Sequence, residues 1–163
     1  MEINGVPLHP LIVHAAVVFA PLASLAGLLY AVLPRWRWAT RWPMIALAVI
    51  GAGSVLAAYL SGKNFLGDRP GLREVPEIWE DLQVHQDRAL ALLWISLIYV
   101  AIVLLAGWTL GGPSALASGA GAQETRAGAL SWGAITLLVV GAVAVLVMTI
   151  LTGDAGARAV WES

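Results

Sequence analysis

Four stretches of this chain, about 10–33, 43–62, 89–110 and 129–152, are almost free of charge, and no other feature restricts its fold as severely. Each holds about 20 or more residues, enough to cross a hydrocarbon core of about 30 Å at 1.5 Å per residue. Inside lipid the backbone must satisfy its own hydrogen bonds, which makes these segments helices. Composition agrees: of 163 residues, 60% are hydrophobic and only 12% charged, about half the charge of an ordinary soluble domain. The expected fold is an all-α integral membrane protein, a single four-transmembrane-helix bundle over 1–163.

The two halves read alike. Leu11-Ile12-Val13-His14 opens the first apolar stretch, and Leu82-Gln83-Val84-His85 runs into the third; Leu60-Ser61-Gly62 and Leu151-Thr152-Gly153 answer them one stretch later. This predicts two pseudo-repeated helical hairpins related by an axis along the membrane normal. Helix 2 carries Ala48, Gly51, Ala52, Ser54 and Ala58, and helix 4 carries Gly133, Ala134, Gly141, Ala142 and Ala144. Small residues allow close helix approach, so the even helices should supply much of the interior, or a face for an oligomer. Pro10 and Pro43 suit first helical positions, and Pro21 should bend helix 1 near Val17. Within 76–88, Ile78, Leu82 and His85, followed by Ala89, have helical spacing; this amphipathic helix either lies on the membrane or extends helix 3. The 111–128 segment reads as a small-residue linker.

The first stretch lacks a basic leader and is expected to remain as a transmembrane helix. The turn from Pro34 to Trp42 interleaves Arg35, Arg37 and Arg41 with Trp36, Trp38 and Trp42, combining a positive-inside signal with an interfacial aromatic belt. It should be cytoplasmic, placing both termini and the 63–88 loop on the outer face of the inner (plasma) membrane. Nine of the ten acidic residues, all but Glu124, then fall outside. Trp79 and Trp161 read as further interfacial anchors. With net charge −1 and no basic cluster, nucleic acid is not an expected partner. The absence of cysteine excludes disulfides, thiolate metal sites, iron–sulfur clusters and covalently attached c-type haem. There is no phosphate-binding glycine loop, no His-Glu-x-x-His and no nucleophile–base pair, so catalysis by this chain alone is not expected.

This topology collects His9, His14, His85, Ser61, Lys63, Asp68, Asp87, Arg88, Thr152, Asp154 and Arg158 on one face. A histidine at a membrane boundary is costly unless hydrated, paired or liganded. In one reading His14 and His85 clamp a haem b, Ser61 and Thr152 hydrogen-bond the imidazoles, and Arg88, Arg158 or Lys63 pairs with the propionates. Depth opposes it: His14 lies about a turn inside its apolar run and His85 about a turn outside, an offset of roughly 10 Å. In another reading His9, His14 and His85 with Asp154 or Asp68 bind zinc or copper, or relay protons. His9 and His14 are about 140° apart on an ideal helix, so His9 would have to turn back before Pro10. In a third the histidines are structural, His14 bonding a carbonyl or Thr152, within a non-catalytic scaffold subunit. Expected partners are the lipid bilayer, other membrane redox subunits, or a basic soluble electron carrier met by Glu74, Glu77, Glu80, Asp81 and Asp87.

The opening His9-Pro10-Leu11-Ile12-Val13-His14, with Pro21 following, resembles a large bacterial family of four-helix predicted membrane proteins of unknown function. Members typically open with His-Pro-x-x-x-His, close helix 2 with a small residue and glycine, and place a histidine near the start of helix 3. In this chain those positions are His9, Pro10, His14, Gly62 and His85. Ala15-Ala16 stands where Phe-Pro is frequent. The resemblance covers nearly the whole chain and implies the architecture and the interest of the three histidines, without an established reaction.

Overall fold

A computed structural model describes residues 2–3, 6–110 and 128–161. Four long helices, α1 (Leu8–Val32), α2 (Arg37–Gly67), α3 (Pro76–Thr109) and α4 (Ala129–Trp161), make up nearly all of it. Each is long and apolar enough to cross a membrane, and the chain is a multi-pass, all-α membrane protein. A two-residue antiparallel pair, β1 (Glu2–Ile3) and β2 (Val6–Pro7), leads into α1. The small-residue linker and Glu124 fall outside the described residues, except for Gly128.

The helices pack as a ring. α1 lies chiefly against α2 and α3 against α4, and the α2/α3 and α1/α4 faces close the bundle. The interior is small and the exterior large. Ala16, Ala20, Ala23, Ala48, Ala142 and Ala106 are buried, while Val18, Leu25, Leu29, Trp94, Ile98 and Ile150 face outward. Lipid tails are as apolar as leucine, so the helices associate by close packing rather than by escape from water. All four helices supply the interior, not the even ones alone, because α1 contributes as many alanines as α2. Gly133, one of the expected interface residues, is exposed with open space beside it.

Helix bounds depart from the apolar stretches because helical hydrogen bonding continues beyond the hydrophobic run. α2 begins at Arg37, so Pro43 lies inside it instead of starting it. It also runs through Gly62 to Gly67, where the sequence suggests a loop, with Leu66 buried. A 3-10 turn at Pro70–Arg73 then leads to α3. Pro76 starts α3 with Glu77 in its first turn, as the missing amide and the helix dipole favour. The amphipathic 76–88 segment is continuous with helix 3, extending it outward. Pro21 sits within an uninterrupted α1.

The α1–α2 turn is fastened by one guanidinium. Arg37 donates from Nε to the Tyr30 carbonyl (3.1 Å), from Nη2 to the Ala31 carbonyl (3.2 Å) and from Nη1 to the Leu110 carbonyl (3.4 Å). The last carbonyls of a helix have no intrahelical partner, and this planar fork caps α1 and α3 together. Arg37→Ala should lower stability in detergent by about 2 kcal/mol, and Arg37→Lys by part of that, while Arg35→Ala leaves it unchanged. Reversible unfolding in mixed micelles measures all three; equal losses for Arg35 and Arg37 would show general charge to be what matters.

Candidate functional site

His9, in the first turn of α1, is half-buried against the end of α2. Its Nδ1 lies 3.0 Å from Ser61 Oγ, and the Ser61 hydroxyl donates to the Ala58 carbonyl at 3.0 Å. A hydroxyl has one proton. With that proton on Ala58, the Ser61 oxygen is left to accept from His9 Nδ1; with it turned to the imidazole, Nδ1 accepts instead. The Ala58 carbonyl is also within reach of the imidazole. The ring lies over Gly62, where a Cβ would stand 3.1 Å from His9 Cε1, and is tilted against Phe65 with centroids 5.9 Å apart.

His85 repeats this arrangement between α3 and α4. Its Nδ1 is 3.0 Å from the Thr152 carbonyl, an acceptor only, so His85 donates from Nδ1. Its ring covers Gly156, where a Cβ would stand 2.9 Å from Cε1. In both hairpins an imidazole from the odd helix bonds to the end of the even helix and covers a glycine four residues beyond a carbonyl, Ala58 before Gly62 and Thr152 before Gly156. The two imidazoles are near enough to interact electrostatically.

The same pairing runs through the bundle. Buried Ala16, Ala20, Ala23, Gly27, Tyr30 and Ala31 of α1 correspond in spacing to buried Leu92, Ser96, Tyr99, Val103, Ala106 and Gly107 of α3. Met44, Ala48, Gly51 and Val55 of α2 correspond to Leu138, Ala142, Val145 and Thr149 of α4. His9 is therefore the counterpart of His85, and Gly62 of Gly156. Pairing Val13-His14 with Val84-His85, and Ser61-Gly62 with Thr152-Gly153, places both repeats in the wrong register. Most of the depth offset vanishes with the correction, since His9 is five residues outward of His14, roughly 8 Å along a helix.

His14 is exposed on α1, and its Nδ1 bonds the Pro10 carbonyl of its own helix at 2.6 Å. The Thr152 hydroxyl expected to serve His85 is buried without a partner, and the main-chain carbonyl of the same residue takes that role. Arg88 donates from Nη1 to the Leu151 carbonyl at 2.8 Å. Asp154 Oδ2 stands between Arg158 Nε (3.2 Å) and Arg88 Nη1 (3.8 Å), so Arg88 fastens α3 to α4 beside His85 and Arg158 holds Asp154 from within α4. Lys63 Nζ lies over the Tyr59 ring, 5.8 Å from its centroid. Among the described residues no group of three or more histidine, aspartate and glutamate side chains gathers to hold a metal ion.

Ala58 and Gly156 carry no conspicuous signal in the sequence. Their signature is the four-residue step from carbonyl to glycine, which two accidental hydroxyl–glycine pairs outshine. No family model, curated protein or solved structure matches the chain.

Gly156→Ala should displace the His85 ring and cost about 1–3 kcal/mol by overpacking. Gly153→Ala has open space and should leave the unfolding midpoint in detergent unchanged. Equal effects at the two glycines would contradict the pairing of Gly62 with Gly156.

Proposed function

We propose that this protein is a membrane electron-transfer subunit in which His9 and His85 hold a haem b, one axial imidazole from each hairpin. The observation that carries this reading is that both imidazoles are held through Nδ1 by α2 and α4: His85 donates there to a carbonyl, and His9 does the same when the Ser61 proton lies on Ala58. Neutral imidazole protonated at Nδ1 keeps its Nε2 lone pair for a ligand. Hydrogen bonding at Nδ1 also orients the ring and raises the basicity of Nε2. Two imidazoles without thiolate suit a non-covalent haem. Ligand number favours haem over a bare ion, because zinc sites take three or four protein ligands and only two side chains are prepared in this way. Bound at this end, haem would supply one-electron chemistry. Arg88 and Arg158 add positive charge beside His85 that suits propionates, although they share Asp154.

Protein expressed with ample haem precursor should show a Soret band and a low-spin reduced spectrum. His9→Ala and His85→Ala should each abolish them, while His14→Ala retains them. A wild-type protein without a Soret band would refute the proposal, as would loss of haem in the His14 variant alone.

A second reading has its own support, namely that both rings fill the space above a glycine at a helix contact. In it the histidines are interhelical latches in a non-catalytic scaffold subunit. His85→Gln can still donate to Thr152, so unchanged stability in a haem-free protein would favour this reading.

The Arg35-Arg37-Arg41 turn supports placement in a bacterial inner membrane with this turn cytoplasmic and both termini outside, an environment in keeping with the resemblance of the His-Pro-x-x-x-His opening. The chain has no cysteine, so single-cysteine labelling is free of background. An impermeant thiol reagent should label Gly71→Cys in intact cells and Arg35→Cys only after permeabilisation; the reverse pattern would invert the topology.

A further inference from the structure

The end of the bundle opposite the histidines contains two buried donors with nothing among the described residues to receive their protons. Tyr30 is fully buried, and neither its hydroxyl nor Arg41 Nε has a hydrogen-bond partner among the described residues. A buried unsatisfied donor is destabilising, more so when charged. The two belong to one locality. The phenol interacts electrostatically with both Arg37 and Arg41, and the Arg37 guanidinium lies over the Tyr30 ring at 5.6 Å. Arg41 passes beside Gly107, where a Cβ would stand 3.9 Å from its Cγ, and its guanidinium reaches the Trp42 ring at 5.4 Å.

Charge selects what would satisfy them. Arg35, Arg37 and Arg41 lie at this end, and among the described residues every acid lies toward the other end. Each nitrogen of the Arg37 guanidinium already donates to a carbonyl, which fixes the group in place while its charge remains. Among the described residues, a site with two unpartnered donors, net positive charge and no carboxylate calls for an anionic oxygen acceptor. Exposed Trp36, Trp38 and Trp42 place the site at the depth of lipid headgroups, where basic pockets between helices bind phosphate. We infer that Tyr30 and Arg41 form part of a phosphate-binding site, which at this depth takes the headgroup of an anionic phospholipid.

The test compares thermal stability in nanodiscs of phosphatidylcholine alone, the same lipid with added phosphatidylglycerol, and phosphatidylcholine with millimolar inorganic phosphate. Native mass spectrometry measures retained phosphatidylglycerol alongside. Wild type should be stabilised by phosphatidylglycerol and retain it. Tyr30→Phe, which removes only the hydroxyl, should bind it about tenfold more weakly. Arg41→Lys, which keeps the charge and loses Nε, should weaken it similarly, and Arg35→Gln should change it less than about threefold. Protection by inorganic phosphate as well, lost in Tyr30→Phe, would support the same site with free phosphate as its ligand. Equal weakening in Arg35→Gln would overturn the site in favour of general surface charge. So would a Tyr30→Phe effect that is the same with and without either anion, since an acceptor within the chain would then be using the hydroxyl.

Discussion

Tyr99 is the contact on which the bundle turns. It is the side chain that most plainly joins one hairpin to the other: its hydroxyl donates to the Ala23 carbonyl of α1 at 3.2 Å, and its ring lies against α4. A Cβ on Gly141 would stand 2.8 Å from Tyr99 Cδ2, and one on Gly27 would collide with the phenol oxygen. Both glycines are absent side chains that the tyrosine occupies. In lipid a phenol without an acceptor is expensive, so the hydrogen bond fixes how deeply the ring enters. The ring in turn sets the separation of α1, α3 and α4.

The other close approaches follow. A Cβ on Gly51 would meet the Phe19 carbonyl at 3.1 Å, so α2 lies on the bare backbone of α1. Gly107 of α3 instead makes room for a side chain of α2, a Cβ there standing 3.2 Å from Ile45 Cδ1. Packing this close gains dispersion energy that lipid tails would otherwise supply less densely. Arg37 complements it at one end by capping carbonyls that close packing brings together, and the two imidazoles complement it at the other. Apart from the Tyr99 hydroxyl, polar groups therefore serve this bundle mainly at helix ends, and the middle is held by alanine, glycine and the buried Tyr99.

The number and character of the helices are legible in the sequence because lipid admits so few solutions to about twenty uncharged residues. Their ends are not, because hydropathy marks where the apolar run stops and the helix does not stop there. Lys63 to Gly67 look like a loop and are helical, just beyond the glycine, Gly62, that the His9 ring covers. The duplication is legible too, but the letters give it the wrong register. Val-His repeats in sequence at His14 and His85, yet position in the packed bundle equates His9 with His85. Matching by letters favours conspicuous residues, whereas packing aligns buried faces, and those faces are drawn in alanine and glycine.

Comparison of the hairpins in their structural register separates what the duplicated site requires from what it tolerates. Arg88 and Asp154, which tie α3 to α4, and Arg158, which holds Asp154 within α4, have Ile12, Leu60 and Asn64 as counterparts in the first hairpin. The hydroxyl of Ser61 has Ala155 opposite it, so one imidazole is served by a side chain and the other by main chain alone. Imidazole, helix-end partner and covering glycine are the parts both hairpins share. Charge has diverged around them, and orientation has not. A latch needs only one hydrogen bond and a filled gap, and either could be met by many side chains. Both rings are held through Nδ1 by the end of an even helix and both cover a glycine there, and that placement is what the two hairpins have in common.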